Sequence, residues 1–369
     1  MPTGDVLTTR ALNRATLSRQ LLLGRERMSA YDAVEHLAGL QAQSPSPPYF
    51  ALWTRLTGFQ PDELAQLLLD RRVVRIVTMR GTVHLLTARD ALDWRPLTQL
   101  VMDTDLRGNT LHSPHWHDLD FAAVAAYARE LLTEQPLSAK ALGEALAERW
   151  PGRAPSSLTQ VARNLLPLVQ TPPRGLWGKS GQPTYAPLDD WVGEPVPTNP
   201  SPEDFVLRYL RAFGPASVQD VQAWCGLTRL GEVADRLRPR LRSFRNEAGR
   251  ELFDLPDAPR PDPDTPAPAR FLGGFDQNLL SFADRTRILS DEYCKRIFTK
   301  NGLIPQVVLA DGFVCGRWRL SRDKGIATLT VEPFEKISKK DIRALEKEGA
   351  ELLRFAEPAA KGHDFRIDW

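Results

Sequence analysis

A serine followed by a short amphipathic run occurs three times in this chain, and that repetition constrains the fold more than any other feature. The copies are Ser29-Ala-Tyr-Asp-Ala-Val, Ser138-Ala-Lys-Ala-Leu and Ser217-Val-Gln-Asp-Val. Each serine stands where a helix N-cap belongs, its oxygen free to accept from the backbone donors of the first turn. An apolar, helix-like segment precedes each one, at residues 15–23, 121–132 and 204–213. The copies lie roughly 110 and 80 residues apart, a spacing that suits small duplicated modules.

The third copy is the most legible. Residues 205–213, 217–224 and 229–237 read as three helices, broken at Gly214-Pro215 and at Cys225-Gly226. Two extended stretches, 241–244 and 251–255, then flank a loop at Asn246-Glu-Ala-Gly249. Three helices followed by a hairpin is the winged-helix order. The expected class is α+β, with three tandem winged-helix units at 1–112, 113–200 and 201–369. A trihelical core without a nucleic-acid role gives the same pattern in a single copy. Three copies, with Arg236, Arg238, Arg240, Arg242 and Arg245 around the third wing, favour a surface that meets DNA.

Residues 256–268 are rich in proline and aspartate and read as a linker that forms neither helix nor sheet. Beyond them, 306–309, 313–320 and 326–331 alternate as strands, and Asp311-Gly312 marks a hairpin turn. Residues 321–325 read as a basic loop closing a second hairpin. Its Arg317, Arg319, Arg322 and Lys324 suit a tip that enters a DNA groove; a solvated loop has the same composition.

Whole-chain totals exclude several classes. Net charge is only +2 over 369 residues, so any phosphate-binding surface must be local. No apolar run approaches the ~20 residues a bilayer requires, and the N-terminus carries no apolar signal-like core. Cys225, Cys294 and Cys315 stand far apart, which disfavours iron–sulfur and structural zinc sites. A cytoplasmic protein acting without metal or cofactor is expected. His112, His115 and His117, with Asp118 beside them, form the one histidine cluster, and Pro114 among them argues for a surface turn. Walker A, G-x-S-x-G and dinucleotide fingerprints are absent from the sequence.

Near the first copy, a helix through Val34 runs into Gln41-Ala42-Gln43, after which Pro45, Pro47 and Pro48 forbid its continuation. Residues two apart share a side only in an extended segment, so the two amides converge only if Gln41–Gln43 lies beyond the helix. The run 73–86 reads as a strand. Within it Arg80 and His84, four apart, share a face, with Thr82 between them, and these side chains suit a pocket or a phosphate contact. A histidine satisfied by the backbone explains His84 equally well.

The chain resembles the AlkZ-like DNA glycosylases, a helix-turn-helix family. The resemblance spans nearly the whole chain. It rests on Leu37-Ala-Gly-Leu-Gln41-Ala-Gln43, Met79-Arg-Gly-Thr-Val-His84 and Pro173-Arg-Gly-Leu-Trp177-Gly. Gly274-Phe-Asp276, Asp284-Arg285, Asp311-Gly312 and Gly316-Arg317-Trp318 continue it. The first motif matches the family's Gln-x-Gln catalytic pair. By that likeness the units would form a C-shape around duplex DNA, Gln41 and Gln43 would be catalytic, and residues 317–330 would form the DNA-engaging hairpin. The implied reaction is hydrolytic release of N7-alkylguanine, including bulky natural-product adducts or cross-links, in base excision repair or antibiotic self-resistance.

Glutamines suit that chemistry. An N7-alkylguanine already carries a positive charge and leaves as a neutral base, so the protein must position water and stabilise an oxocarbenium-like sugar rather than supply an acid. With no lysine beside the motif, a monofunctional route is expected. The rival is a winged-helix regulator. Such proteins usually dimerise on paired half-sites, whereas three modules in one chain favour a monomer.

Overall fold

All three serines cap the helices they precede. A computed structural model describes residues 5–299 and 302–369. In it Ser29 Oγ accepts from the Asp32 N–H, Ser138 Oγ from Ala141 and Ser217 Oγ from Asp220. The Asp220 carboxylate returns a bond to the Ser217 N–H, closing a capping box.

The first segment runs β1 (Val6–Leu7), α1 (Thr9–Arg19), α2 (Ala30–His36), β2 (Leu40–Gln41), α3 (Pro47–Arg55), α4 (Pro61–Leu69), β3 (Val73–Val77) and β4 (Val83–Thr87). Helices α5 (Ala88–Leu97) and α6 (Gln99–Gly108) lead on. The second segment is α7 (Phe121–Glu134), β5 (Leu137–Ser138), α8 (Ala139–Arg149), α9 (Pro155–Leu165), β6 (Leu168–Thr171) and β7 (Thr184–Pro187). After α10 (Leu188–Val192), the third is α11 (Pro202–Phe213), α12 (Val218–Cys225), α13 (Gly231–Leu237), β8 (Arg242–Asn246) and β9 (Glu251–Asp254).

Residues 255–269 carry no helix or strand, as the proline content demands, and α1 holds them down. Arg14 Nε donates to the Thr265 carbonyl at 2.6 Å and Arg19 Nη2 to that of Pro259 at 3.2 Å. The C-terminal region follows with β10 (Arg270–Leu272), α14 (Gln277–Leu280), α15 (Asp291–Ile297), β11 (Val307–Ala310), β12 (Phe313–Asp323), β13 (Ile326–Pro333), α16 (Lys339–Ala356) and β14 (Gly362–Ile367). Its sheet has the order β10-β11-β12-β13-β14, and α16 is the crossover that makes β13 and β14 parallel.

The sheets and cores join the segments. One six-stranded sheet, β2-β4-β3-β6-β7-β5, unites the first two hairpins through Arg75 opposite Gln170. Strand β1 pairs with β8, tying the N-terminal end to the third segment. One apolar cluster joins Leu52, Trp53 and Leu64 to Phe271, Trp318 and Leu345; another joins Val74, Leu86 and Trp94 to Phe205, Tyr209 and Trp224. No helix of the described residues is long and apolar enough to cross a membrane.

Three local expectations change. The apolar run 15–23 is not one helix: Thr8 caps α1 early, the helix ends at Arg19, and Leu21 turns into the left-handed region at φ 56°. The run is apolar because Leu21 and Leu22 are buried in a turn. Residues 73–86 are a hairpin rather than one strand, with Arg80 (φ 54°) and Gly81 (φ 69°) at its turn. The basic loop at 321–325 is tighter than expected. Only Lys324 (φ 48°) and Gly325 (φ 89°) leave the strands, as a two-residue turn with both φ positive.

Buried arginine–carboxylate forks hold these parts in register. Arg19 donates to both oxygens of Asp254 at 2.7 and 2.8 Å, and Arg55 to both of Asp276 at 3.0 Å. All four side chains are almost fully buried. Removing one partner strands a charge away from water, so Asp276→Ala should cost about 3–5 kcal/mol. Urea unfolding checks this, with Arg55→Met/Asp276→Leu expected to cost less. A single variant no worse than the double would contradict the reading.

A candidate active site on the Gln-x-Gln strand

The route from α2 into β2 is set by two left-handed residues, Ala38 (φ 56°) and Gly39 (φ 82°). The Gly39 N–H reaches back to the Val34 carbonyl at 3.0 Å, closing the helix end. A Cβ on Gly39 would lie 2.2 Å from Leu86 Cδ2, so both the backbone and the packing call for glycine here. The chain leaves this corner extended. Leu40 pairs with Leu85 and Gln41 with His84, and the Ala42 N–H donates to the Val83 carbonyl at 2.7 Å. The glutamine motif therefore lies beyond the helix, and α3 restarts at Pro47.

The two glutamines sit differently. Gln41 is only 6% exposed, and its Oε1 accepts from Arg80 Nη2 at 2.6 Å. Gln43 is exposed, and its Oε1 accepts from the Val83 N–H at 3.1 Å. Gln41 Nε2 has no hydrogen-bond partner among the described residues. Arg75 braces the backbone between them, its Nη2 donating to the Ala42 carbonyl at 2.8 Å and to Gln170 Oε1 at 3.2 Å. Gly175 (φ 100°) makes room for it: a Cβ there would stand 2.5 Å from Arg75 Cδ. The Tyr49 hydroxyl donates to the Gly175 carbonyl at 2.8 Å, and Trp177 packs on the Tyr49 ring at 4.9 Å. The 173–177 motif is thus a support for the glutamine strand.

Arg80 and His84 do meet, although across the hairpin turn rather than along one strand. Arg80 Nη2 stands 3.4 Å from His84 Nε2, and His84 Nδ1 donates to the Thr82 carbonyl at 3.0 Å. An arginine offers only donors, so His84 Nε2 is the acceptor and the ring is neutral. Burial, reinforced by the Arg80 charge, pushes the His84 pKa down to about 3. Burial likewise lowers Arg80, to about 10, leaving it cationic at neutral pH. Thr82 closes the turn through its hydroxyl, which donates to the Met79 carbonyl at 3.2 Å. Among the described residues no carboxylate bonds to Gln41, Gln43, Arg80 or His84. Amides of this kind can hold water, and among the described residues no carboxylic acid is hydrogen-bonded to them to protonate a leaving group.

The remaining expected residues lie in the C-terminal sheet. Arg317 and Arg319 share Glu332 at 3.1 and 3.0 Å, Arg319 also pairs with Asp368 at 2.9 Å, and Arg322 pairs with Glu357 at 3.3 Å. Lys324 is exposed at the tip and makes no ion pair among the described residues. The third wing is similar: Arg236 pairs with Glu203, Arg238 with Glu251 and Arg242 with Asp5. His112 hydrogen-bonds to Ser157 at 3.0 Å and His117 pairs with its neighbour Asp118, and among the described residues no group of three or more possible metal ligands is brought together. Two contributors carried no sequence signal as such. The Trp224 carbonyl accepts from Arg80 Nη1, and Gly226 lies against the Arg80 backbone. Cys225-Gly226 read only as a helix break, which fixes a turn but not what it touches.

The family profile described as DNA glycosylase AlkZ-like matches residues 34–355. An interstrand DNA cross-link repair glycosylase of Streptomyces sahachiroi is 26% identical over 365 residues, covering 92% of this chain and 94% of that protein. The solved structure of Streptomyces sahachiroi DNA glycosylase AlkZ superposes with a TM-score of 0.81 at 23% identity, covering 98% of this chain and all of that one. The mixed α+β fold is therefore shared with that structure.

The buried histidine has a consequence for stability. Its pKa is about 6.5 in an unfolded chain and about 3 here, so between those values the unfolded state binds a proton that the folded state refuses. Stability due to His84 is complete above roughly pH 6.5 and is lost as pH falls, at up to about 1.4 kcal/mol per unit. His84→Gln should flatten the dependence of the urea midpoint on pH between those limits. An unchanged slope would show that His84 is not the group responsible.

Proposed function

The chain belongs to the AlkZ-like DNA glycosylase family, and from that premise we propose that this enzyme hydrolyses the N-glycosidic bond of N7-alkylguanine in duplex DNA. The observation that carries the reading is two glutamine amides on the strand paired with that of a neutral histidine, with no carboxylate bonded to them among the described residues. Such a site cannot protonate a neutral purine, but a cationic base needs no proton to leave. Gln41 and Gln43 hold the attacking water against the anomeric carbon, each oxygen keeping one lone pair beyond the bond it already accepts. Among the described residues no lysine hydrogen-bonds to either glutamine, which favours hydrolysis over a Schiff-base route.

Bulky or cross-linked adducts are the substrates we favour, because the Streptomyces relative is named for cross-link repair; self-resistance to such agents would be the biological setting. The three serine-capped segments, 1–112, 113–200 and 201–369, would act as tandem winged-helix units in a C-shape around the duplex. The protein would work as a cytoplasmic monomer without cofactor. The β12–β13 hairpin would meet the DNA backbone chiefly through Lys324, since its arginines already answer carboxylates.

Base release from an N7-methylguanine duplex tests the reading. The parent should release the base, with Gln41→Ala and Gln43→Ala each slower by about tenfold or more. Parental rates in both variants would remove the glutamines from catalysis, and borohydride trapping of a protein–DNA adduct would overturn hydrolysis. Lys324→Ala should weaken DNA binding and lower the salt dependence of log Kd by about one unit. Binding and salt slope both unchanged would remove Lys324 from the interface.

A further inference from the structure

The Arg80 guanidinium is partly buried, cationic and without a carboxylate among the described residues. Isolated charge of this kind is costly unless neutral dipoles replace water around it. Here they do. Nη1 donates to the Trp224 carbonyl, in the last turn of α12, where carbonyls lack helical partners and the helix dipole is negative. Nη2 donates to Gln41 Oε1 at 2.6 Å and points at His84 Nε2 from 3.4 Å. The backbone is pinned as well. Arg80 adopts φ 54°, and Gly226, at φ 81° just past α12, packs so closely that a Cβ would stand 3.0 Å from Arg80 Cα.

We infer that Arg80 is a positioning residue for base release, fixing the Gln41 amide in one orientation and tying that orientation to the carbonyl end of α12. A guanidinium cannot accept a hydrogen bond, so the amide oxygen must face Arg80 and Nε2 must face away. Without the arginine no other described residue bonds to the Gln41 amide oxygen, so the amide is free to flip and misplace the water. Both terminal nitrogens are engaged inside the protein, which sets this role apart from a phosphate contact. It also makes the third segment part of the catalytic apparatus of the first.

The inference rests on the glutamine assignment above, and the test separates the two. Single-turnover release of N7-methylguanine and Kd for the same duplex are measured for Arg80→Ala, Arg80→Lys, Gln41→Ala and Gln41→Ala/Arg80→Ala. Arg80→Ala should lose about tenfold or more in rate, the worth of a charged hydrogen bond, with Kd within about twofold of the parent. Non-denaturing guanidinium ion should restore part of that loss. Arg80→Lys, which keeps the charge and the fold but cannot fork to both acceptors, should be slow too. In the Gln41→Ala background the arginine should cost nothing further. Losses that add, or a Kd that weakens in step with the rate, would make Arg80 a DNA contact and overturn the inference. Impaired Gln41→Ala beside unimpaired Arg80 variants would sink this inference alone; an unimpaired Gln41→Ala would sink the assignment beneath it.

Discussion

Two backbone pairings, Leu40 with Leu85 and Gln41 with His84, turn the end of a helical segment into the edge strand of a six-stranded sheet. The pairing exists because Ala38 and Gly39 bend the chain out of α2 through left-handed geometry, with Leu86 filling the space a side chain at 39 would need. Once formed, it aligns Gln41 with the turn of the neighbouring hairpin. Arg80, Thr82 and His84 then arrive beside the glutamine as a matter of register rather than of separate placement.

The supports are polar and deeply buried. Arg75 holds the Ala42 carbonyl from beneath, and Arg19 and Arg55 fork to Asp254 and Asp276 further off. Each places a charge where water is scarce: Arg19 and Arg55 answer it with a carboxylate fork, whereas Arg75 has neutral acceptors for Nη2 alone and its buried Nε has none. That explains why several motifs of the family likeness are structural here. Asp276 answers Arg55, Asp311 answers Arg10 and Arg14, and the 173–177 turn covers Arg75. The glutamines differ from all of these in answering no charge with a charge: Gln41 accepts from Arg80 as a neutral amide and Gln43 from the Val83 N–H.

Much of the fold was legible because it is written in local chemistry. The serine caps, the helices of the third segment and strands β11, β12 and β13 follow from capping, periodicity and turn residues. The glutamine motif was legible too, since proline after Ser44 cannot continue a helix. What stayed hidden depends on distant partners. Arg236, Arg242 and Arg319 read as free basic charge, yet Glu203, Asp5 and Asp368 neutralise them in the folded chain. The run at 73–86 looked like one strand because nothing local announces that Arg80 takes a positive φ; Gly226, far along the chain, packs against it. Strands β10 and β14 and helix α16 also went unread, since their pairing is set by the sheet they join.

On the proposed mechanism, base release needs no acid or base titrating near neutrality. The decisive measurement is the pH–rate profile of single-turnover N7-methylguanine release, divided by spontaneous release from the same duplex. With His84 neutral down to about pH 3 and Arg80 charged up to about 10, that ratio should stay flat within about twofold from roughly pH 5.5 to 8.5. A bell, or a limb of about tenfold or more with an apparent pKa inside that range, would mean that a titrating group carries the chemistry and the glutamines do not.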